Sequence, residues 1–271
     1  MSQPTDEYAR WLRATHTPAH ARRTAERNAA FLLPHLAPGM RLLDAGCGPG
    51  SITLGLAAAV APGEVVGIDA APEAIDAATA AAAQASQSNA RFASGNVYAL
   101  PFEDGHFDVV FMHAVLQHLN EPVAALGEAF RVLRPGGLVA LADADYGGYI
   151  IAPRSASLDS AIALQERIRL KSGGDTRIGA KLGSLIAGAG FERVECGATA
   201  NSAGTAEGAK LTGDFNARYF EAPELAARAA AGGWATKDEL AEAGAAWREW
   251  GSTPGAFQAT FWCHALGRKP G

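Results

Sequence analysis

A chain of 271 residues, 48% apolar and 19% charged, has ample material for a core and suits one large domain or one domain with an elaborated lid. Its net charge of −5 argues against a dedicated surface for nucleic acid or anionic membrane. Cys47, Cys196 and Cys263 are odd in number and far apart, which suits a reducing compartment and matches neither a disulfide framework nor a zinc spacing.

Residues 1–40 read as helical with polar breaks, and Tyr8, Trp11 and Leu12 share one helix face. That helix either packs on the main domain or forms a flap offering Tyr8, Arg13 or His20 to a ligand. The arginines of this stretch precede no apolar segment, so it is not a signal peptide. No later run approaches the roughly 18 apolar residues of a membrane helix. The expected protein is cytoplasmic, without membrane insertion.

Arg41-Leu42-Leu43-Asp44 then reads as a buried strand. It stops in Ala45-Gly46-Cys47-Gly48-Pro49-Gly50, a tight turn against a helix opened by Ser51. Glycine is useful in such a turn because it tolerates positive φ and lets a ligand approach the backbone. Residues 64–69 form a second strand ending on Asp69, and Pro72 starts a helix to about Ser86. Arg91 to Gly95 is a third strand and Phe107 to His113 a fourth. Pro122 to Leu133 is helical and stops at Arg134-Pro135-Gly136-Gly137, and Leu138 to Asp143 is a fifth strand.

Strands alternating with helical segments predict βαβ units and a parallel sheet. Ligands of such sheets bind outside the carboxyl ends of the strands. Asp44, Gly46, Asp69, Asn96, His113 and Asp143 all fall at those ends, which points to one shared site.

Beyond Ala144 the pattern loosens. Helices are expected at Asp159 to Lys171 and Ile178 to Ala189, with Asp175 and Arg177 as a helix-start pair, and a sixth strand at Phe191 to Gly197. Residues 202–235 are rich in glycine and alanine and show no clear period. Thr236-Lys237-Asp238-Glu239 is a capping box opening a helix to about Trp250, and Phe257 to Leu266 is the last strand. The added helices read as a lid over residues 1–35 and 144–250. The core then spans about 36–143, 190–200 and 256–267 of a single domain covering 1–271.

Two ligand classes compete for the glycine turn. The dinucleotide pattern G-x-G-x-x-G/A would put its third small residue at Ser51, whereas the third glycine here is Gly50. A carboxylate at Asp44 would repel a diphosphate and attract an ammonium group. The favoured ligand therefore carries a cation near the turn and a ribose further along.

Asp44-Ala45-Gly46-Cys47-Gly48-Pro49-Gly50 resembles motif I of the class I S-adenosylmethionine-dependent methyltransferases. Asp69 matches the acid with which that family holds the ribose hydroxyls, and Gly95 to Phe102 is similar to its G-D-A-x-x-L-P-F segment. Phe107 to Val110, Val115 to Leu119 and Arg131 to Gly137 resemble its later motifs, so the likeness spans about residues 38–143 and points to the ubiquinone/menaquinone-type, small-molecule branch. Asn96 stands where the family more often has Asp. Its amide still accepts from an adenine amino group and also donates to a ring nitrogen.

The resemblance implies a doubly wound, Rossmann-like α/β sheet of seven strands, the last antiparallel, with a helical lid. It also implies S-adenosylmethionine as cofactor and a small-molecule acceptor, quinone-like or a natural product, methylated at carbon, oxygen or nitrogen. The expected cofactor contacts in the first two strand ends are Asp44, Gly46, Cys47, Gly48, Asp69 and Ala70. Further along they are Asn96, Val97, His113 and His118.

For the chemistry, His113 is a candidate base or substrate contact, with cofactor packing as the alternative. Asp145 and Tyr146, with Asp143, are expected just past the fifth strand as acid/base or orienting groups, or else as loop caps. Phe215, Tyr219, Phe220, Trp234, Trp247 and Trp250 read either as lid core or as the wall of a pocket for a flat acceptor. No metal site is expected. The other readings of the chain are a nicotinamide-dependent oxidoreductase and a regulatory protein that binds the cofactor without turnover.

Overall fold

A computed structural model describes residues 23–271. The expected helix face of Tyr8, Trp11 and Leu12, and the flap residues Tyr8, Arg13 and His20, lie outside the described residues.

The described residues open with a short helix α1 (Ala25–Asn28), followed by β1 (Leu42–Ala45), α2 (Ser51–Val60), β2 (Val65–Asp69) and α3 (Pro72–Gln84). Then come β3 (Ala90–Ser94), β4 (Phe107–His113), α4 (Pro122–Val132) and β5 (Leu133–Ala152). Pro72 and Pro122 each occupy the first turn of their helices, where the missing N–H costs nothing. The remaining elements are α5 (Ala156–Lys171), α6 (Leu182–Gly188), β6 (Glu192–Ala203), α7 (Ala206–Glu221), α8 (Pro223–Gly232), α9 (Lys237–Ser252) and β7 (Phe257–Arg268).

The seven strands form one mixed sheet in the order β3-β2-β1-β4-β5-β7-β6, with the last strand antiparallel. β1 is parallel to both β2 and β4. The winding reverses between β1 and β4, and that reversal opens a crevice at their carboxyl ends. Alternate strand residues feed two cores, as a sheet covered on both faces requires. Leu43, Val110, Met112, Val139 and Leu141 pack with α4 and α6, while Leu42, Val65, Val109, Phe111 and Ala140 pack with α1 and α2. Truncating a side chain as enclosed as Phe111 to alanine costs about 3–5 kcal/mol.

The fifth strand departs from expectation. Expected to run from Leu138 to Asp143, it extends over Leu133–Ala152. Phe107 pairs with Leu133 and Val109 with Leu138, so residues 134–137 are accommodated as an irregularity in the ladder. Gly136 N–H donates to Lys269 O and Lys269 N–H to Gly137 O. The proline-glycine signal is therefore a bulge inside a strand, and pairing supplied from the far end of the chain overrides it. The single helix expected at 178–189 is a 3₁₀ turn, Gly179–Lys181, running into α6.

The chain divides into two compact units. The first comprises residues to Asp143, Ile178–Ala198 and Cys263–Gly271; the second comprises Ala144–Arg177 and Thr199–Trp262. The second has its own helical core. Tyr219, Phe220, Trp247 and Trp250 are buried, with edge-to-face pairs Tyr219–Phe220 and Trp247–Trp250 at 5.0 and 5.6 Å. α7 and α9 approach closely at two glycines, since a Cβ on Gly213 would lie 2.9 Å from Gly251 Cα.

Caps hold the helices of this unit. Ser155 and Thr205 accept from Leu158 and Gly208 N–H, and Thr236 and Glu239 cap each other reciprocally. Arg167 reaches Glu239 at 2.7 Å and joins α5 to α9. The signals for α7 and α8 lay in Thr205 and Pro223, which stand at their starts. Among the described residues no helix is long and apolar enough to cross a membrane.

Candidate functional site

The site is built in the first unit, at the carboxyl ends of β1, β2 and β4. β1, an interior strand, delivers Asp44 to the carboxyl end of the sheet, 2% exposed. The turn that follows is locked to β2: Gly46 and Cys47 N–H both donate to Ile68 O, at 2.7 and 2.9 Å. Gly48 N–H instead donates to Asp69 Oδ2 at 3.1 Å. The other Asp69 oxygen accepts from Ala71 N–H at 3.0 Å. Each oxygen keeps a further acceptor position, so the carboxylate remains able to receive a pair of vicinal hydroxyls.

The glycines of the turn do different work. Gly46 has φ +89°, and a Cβ there would collide with Val115 Cγ2, so it is a packing glycine in a left-handed conformation. Gly48 has φ +54° and open space where a Cβ would stand, which leaves its backbone accessible to a ligand. A Cβ on Gly50 would lie 2.9 Å from Ala78 and 3.0 Å from Phe92, where α2 meets α3 and β3. Cys47 is buried, with its thiol directed at Gly48 O.

Asp44 and Asp69 end adjacent strands, so their charges interact. Burial raises Asp44 to about 7; the Thr53 hydrogen bond opposes that rise and the neighbouring Asp69 adds to it. Thr53 Oγ1 donates to Asp44 Oδ2 at 2.6 Å. Sequence reasoning missed Thr53. Its signal was position: a side chain in the first turn of a helix leans back toward the N-terminus, here over the glycine turn.

Along the rim, Asn96 is half-buried and its Oδ1 accepts from Tyr98 N–H at 3.0 Å. The beta-bridge between Asn96 and Ala99 narrows that turn. Val97 is buried and Ala70 half-buried. Arg131, from α4, holds the same segment by donating to Leu100 O and Phe102 O at 2.9 and 2.7 Å.

His113 ends β4, 6% exposed, and Asn28 Nδ2 approaches its Nε2 at 3.5 Å. Asn28 is a second residue the sequence did not single out. Ala114, next along, has φ +58°. A non-glycine residue in that region is costly, and such strain concentrates at functional sites. The turn behind it is held by Asp143, whose oxygens accept from Leu116 and Gln117 N–H at 3.2 and 3.3 Å. Expected just past the fifth strand as an acid/base or orienting group or else a loop cap, Asp143 lies within β5, fully buried, and caps this turn. His118 closes the turn, half-buried.

Asp145 and Tyr146 are not in a loop past the fifth strand, because β5 continues through them. They belong to the second unit. Asp145 Oδ1 accepts from Gly147 N–H at 2.8 Å, and the Arg169 guanidinium lies 4.6 Å over the Tyr146 ring. Asp175 and Arg177 form a turn through Arg177 N–H to Asp175 Oδ1. Among the described residues no group of three His, Cys, Asp or Glu side chains is placed to hold a metal ion.

An ammonium-bearing nucleoside fits these residues: two buried acids at adjacent strand ends, an accessible backbone at Gly48 and an amide at Asn96. Comparison with known proteins agrees. The methyltransferase domain, as a family, matches residues 36–174. An uncharacterized methyltransferase of Schizosaccharomyces pombe is 39% identical over 178 residues, 63% of this chain and 64% of that protein. The demethylmenaquinone methyltransferase of Lactococcus lactis is 40% identical over 102 residues, 37% of this chain and 40% of that protein. The chain thus spans less than two thirds of the length of these curated relatives. The solved YcgJ protein of Bacillus subtilis matches in fold over 91% of this chain and 99% of its own, with a TM-score of 0.61 at 18% identity.

Proposed function

The chain belongs to the methyltransferase-domain family, and from that membership we propose that it moves a methyl group from S-adenosylmethionine to a small-molecule acceptor, at carbon, oxygen or nitrogen. The observation that carries the reading is the pair of buried acids at adjacent strand ends, Asp44 held by Thr53 and Asp69 held by the Gly48 amide.

In this reading Asp44 receives the ammonium group and Asp69 the ribose hydroxyls, while Gly46, Cys47, Gly48 and Ala70 line the approach. Asn96 and Val97 meet the adenine, and His113 and His118 border the reacting end. S-adenosylmethionine, when bound, supplies a methyl group already activated on a sulfonium. The protein's share is alignment of nucleophile and methyl carbon, with a base only where the nucleophile must lose a proton. His113 is the proposed base or contact in the first unit. Asp145 and Tyr146, which belong to the second unit, are proposed as acid/base or orienting groups.

The relative from Lactococcus lactis is named for a demethylmenaquinone, which supports a quinone-like or natural-product acceptor here. Three scattered cysteines support a reducing, cytoplasmic setting. The test is calorimetric titration with S-adenosylhomocysteine, followed by transfer of labelled methyl across a panel of quinols, catechols and phenolic polyketides. Protection from melting by NAD(H) and none by S-adenosylhomocysteine would reject the proposal.

A further inference from the structure

Thr53 lies in the first turn of α2. Its hydroxyl is 2.6 Å from Asp44 Oδ2, and both side chains are buried, Thr53 at 0% and Asp44 at 2% exposure. The donated hydrogen bond does two things. It fixes the rotation of the carboxyl group, so the other oxygen has one set direction. It also stabilises the ionised form of an acid whose burial and whose neighbour Asp69 both oppose ionisation.

Among the described residues, β2, α2 and β4 flank Asp44. On β2 the ionisable group is Asp69, of the same sign, and α2 carries no ionisable side chain. On β4, Phe111 lies opposite Asp44. His113 stands two residues beyond it at the same strand end, and Asp108 is engaged by Arg134 and by Arg41 N–H.

We propose that Thr53 is a positioning residue for the methyl donor: its hydroxyl aims, and keeps charged, the carboxylate of Asp44 that receives the ammonium group of the ligand. This rests on the reading of the site as a place for S-adenosylmethionine. Removing the hydroxyl leaves Asp44 protonated over more of the neutral range and free to turn away. Affinity for an ammonium-bearing ligand then falls near neutral pH and recovers as pH rises. A ligand without the ammonium does not register the change.

The experiment titrates wild type, Thr53→Val, Thr53→Ala and Thr53→Ser by calorimetry with two probes at a series of pH values. S-adenosylhomocysteine carries the ammonium, and 5′-methylthioadenosine lacks it. Thr53→Val and Thr53→Ala are expected to bind S-adenosylhomocysteine about fivefold more weakly near neutral pH, the effect of moving a half-ionised acid about one pKa unit higher, with the gap closing toward about pH 8.5. 5′-methylthioadenosine should bind all four proteins alike, and Thr53→Ser should follow wild type with both probes. Equal loss for both probes at every pH, or no loss for either, would reduce Thr53 to a packing residue and overturn the proposal. Melting curves identify any variant that has not folded, and the two hydroxyl-free variants differ in bulk, so one misfolded protein does not decide the outcome. Failure of wild type to bind either probe would instead reject the cofactor reading itself.

Discussion

Gly48 donates its backbone N–H to Asp69 Oδ2 at 3.1 Å, so the turn after β1 and the acid ending β2 are held as one piece. The Ala71 N–H on the other oxygen, at 3.0 Å, sets the entry to α3 with the same carboxylate. Asp69→Ala strands both donors, at about 1–3 kcal/mol for a buried orphan, and removes the proposed ribose contact. It is expected to lower the melting temperature and to abolish S-adenosylhomocysteine binding in calorimetry, while Asp69→Asn retains one acceptor and loses less of both.

Gly46 and Gly48 separate stability from binding. Gly46→Ala meets Val115 and a φ of +89°, which together cost about 2–5 kcal/mol. Gly48→Ala meets only the strain of φ +54°, about 1–2 kcal/mol, but places a methyl group where the ligand must come. Denaturant midpoints should rank Gly46→Ala as the less stable protein. Binding should be lost in Gly48→Ala at a temperature where it remains folded; retained affinity would show that Gly48 does not face the ligand.

Asn96 is tied into its own turn by Tyr98 N–H, which aims the amide along the rim. Asn96→Ala is expected to weaken cofactor affinity about tenfold, the scale of one hydrogen bond of about 1.5 kcal/mol. Asn96→Asp keeps the acceptor and should bind nearly as wild type. Unchanged affinity in Asn96→Ala would remove this residue from the site.

Burial raises Asp143 to about 7, and the N–H groups of Gln117 and Leu116, with the charge of Arg23, hold the rise back. An unfolded aspartate releases its proton near pH 3.9. Between about pH 4 and pH 7 the folded state therefore binds the extra proton, and stability falls as pH rises through that window. Asp143→Asn removes this titration while keeping one acceptor for the turn. The drop in melting temperature from about pH 5 to about pH 8 should be smaller in the variant; an equal drop would assign the slope to other groups, Asp44 first among them.

Arg131 gathers the Leu100 and Phe102 carbonyls and the Glu128 carboxylate, the last at 2.8 Å. A lysine has a single ammonium in place of the planar fork. Arg131→Lys is expected to cost about 1–3 kcal/mol in urea unfolding and to loosen the Asn96 segment, visible as faster amide exchange at residues 96–102.

Much of the first unit was legible in the chain. Apolar runs such as Phe107–His113 are buried on both faces, and parallel strands so covered read as continuous hydrophobic stretches. The helix starts at Pro72 and Thr236 are local events, decided by a missing N–H and by a reciprocal cap. Residues 202–235 were not legible, because the buried positions of α7 and α8 mix alanine, glycine and Asn216 with the few large side chains Tyr219, Phe220 and Leu225, which blurs the periodic signal. Gly213 against Gly251 makes sense only when both helices are in place.

By itself, then, the sequence determined what depends on neighbours along the chain: the βαβ order, the glycine turn between Asp44 and Ser51, and the acid at each of two strand ends. The tertiary structure alone decided what depends on partners far away in the chain. Pairing of Gly136 and Gly137 with Lys269 turned a stop signal into a bulge. β5 carried Asp145 and Tyr146 into the second unit, and Thr53 came to rest on Asp44. Local propensities act over a few residues, whereas a strand ladder or a buried hydrogen bond is set by whichever distant group arrives to satisfy it.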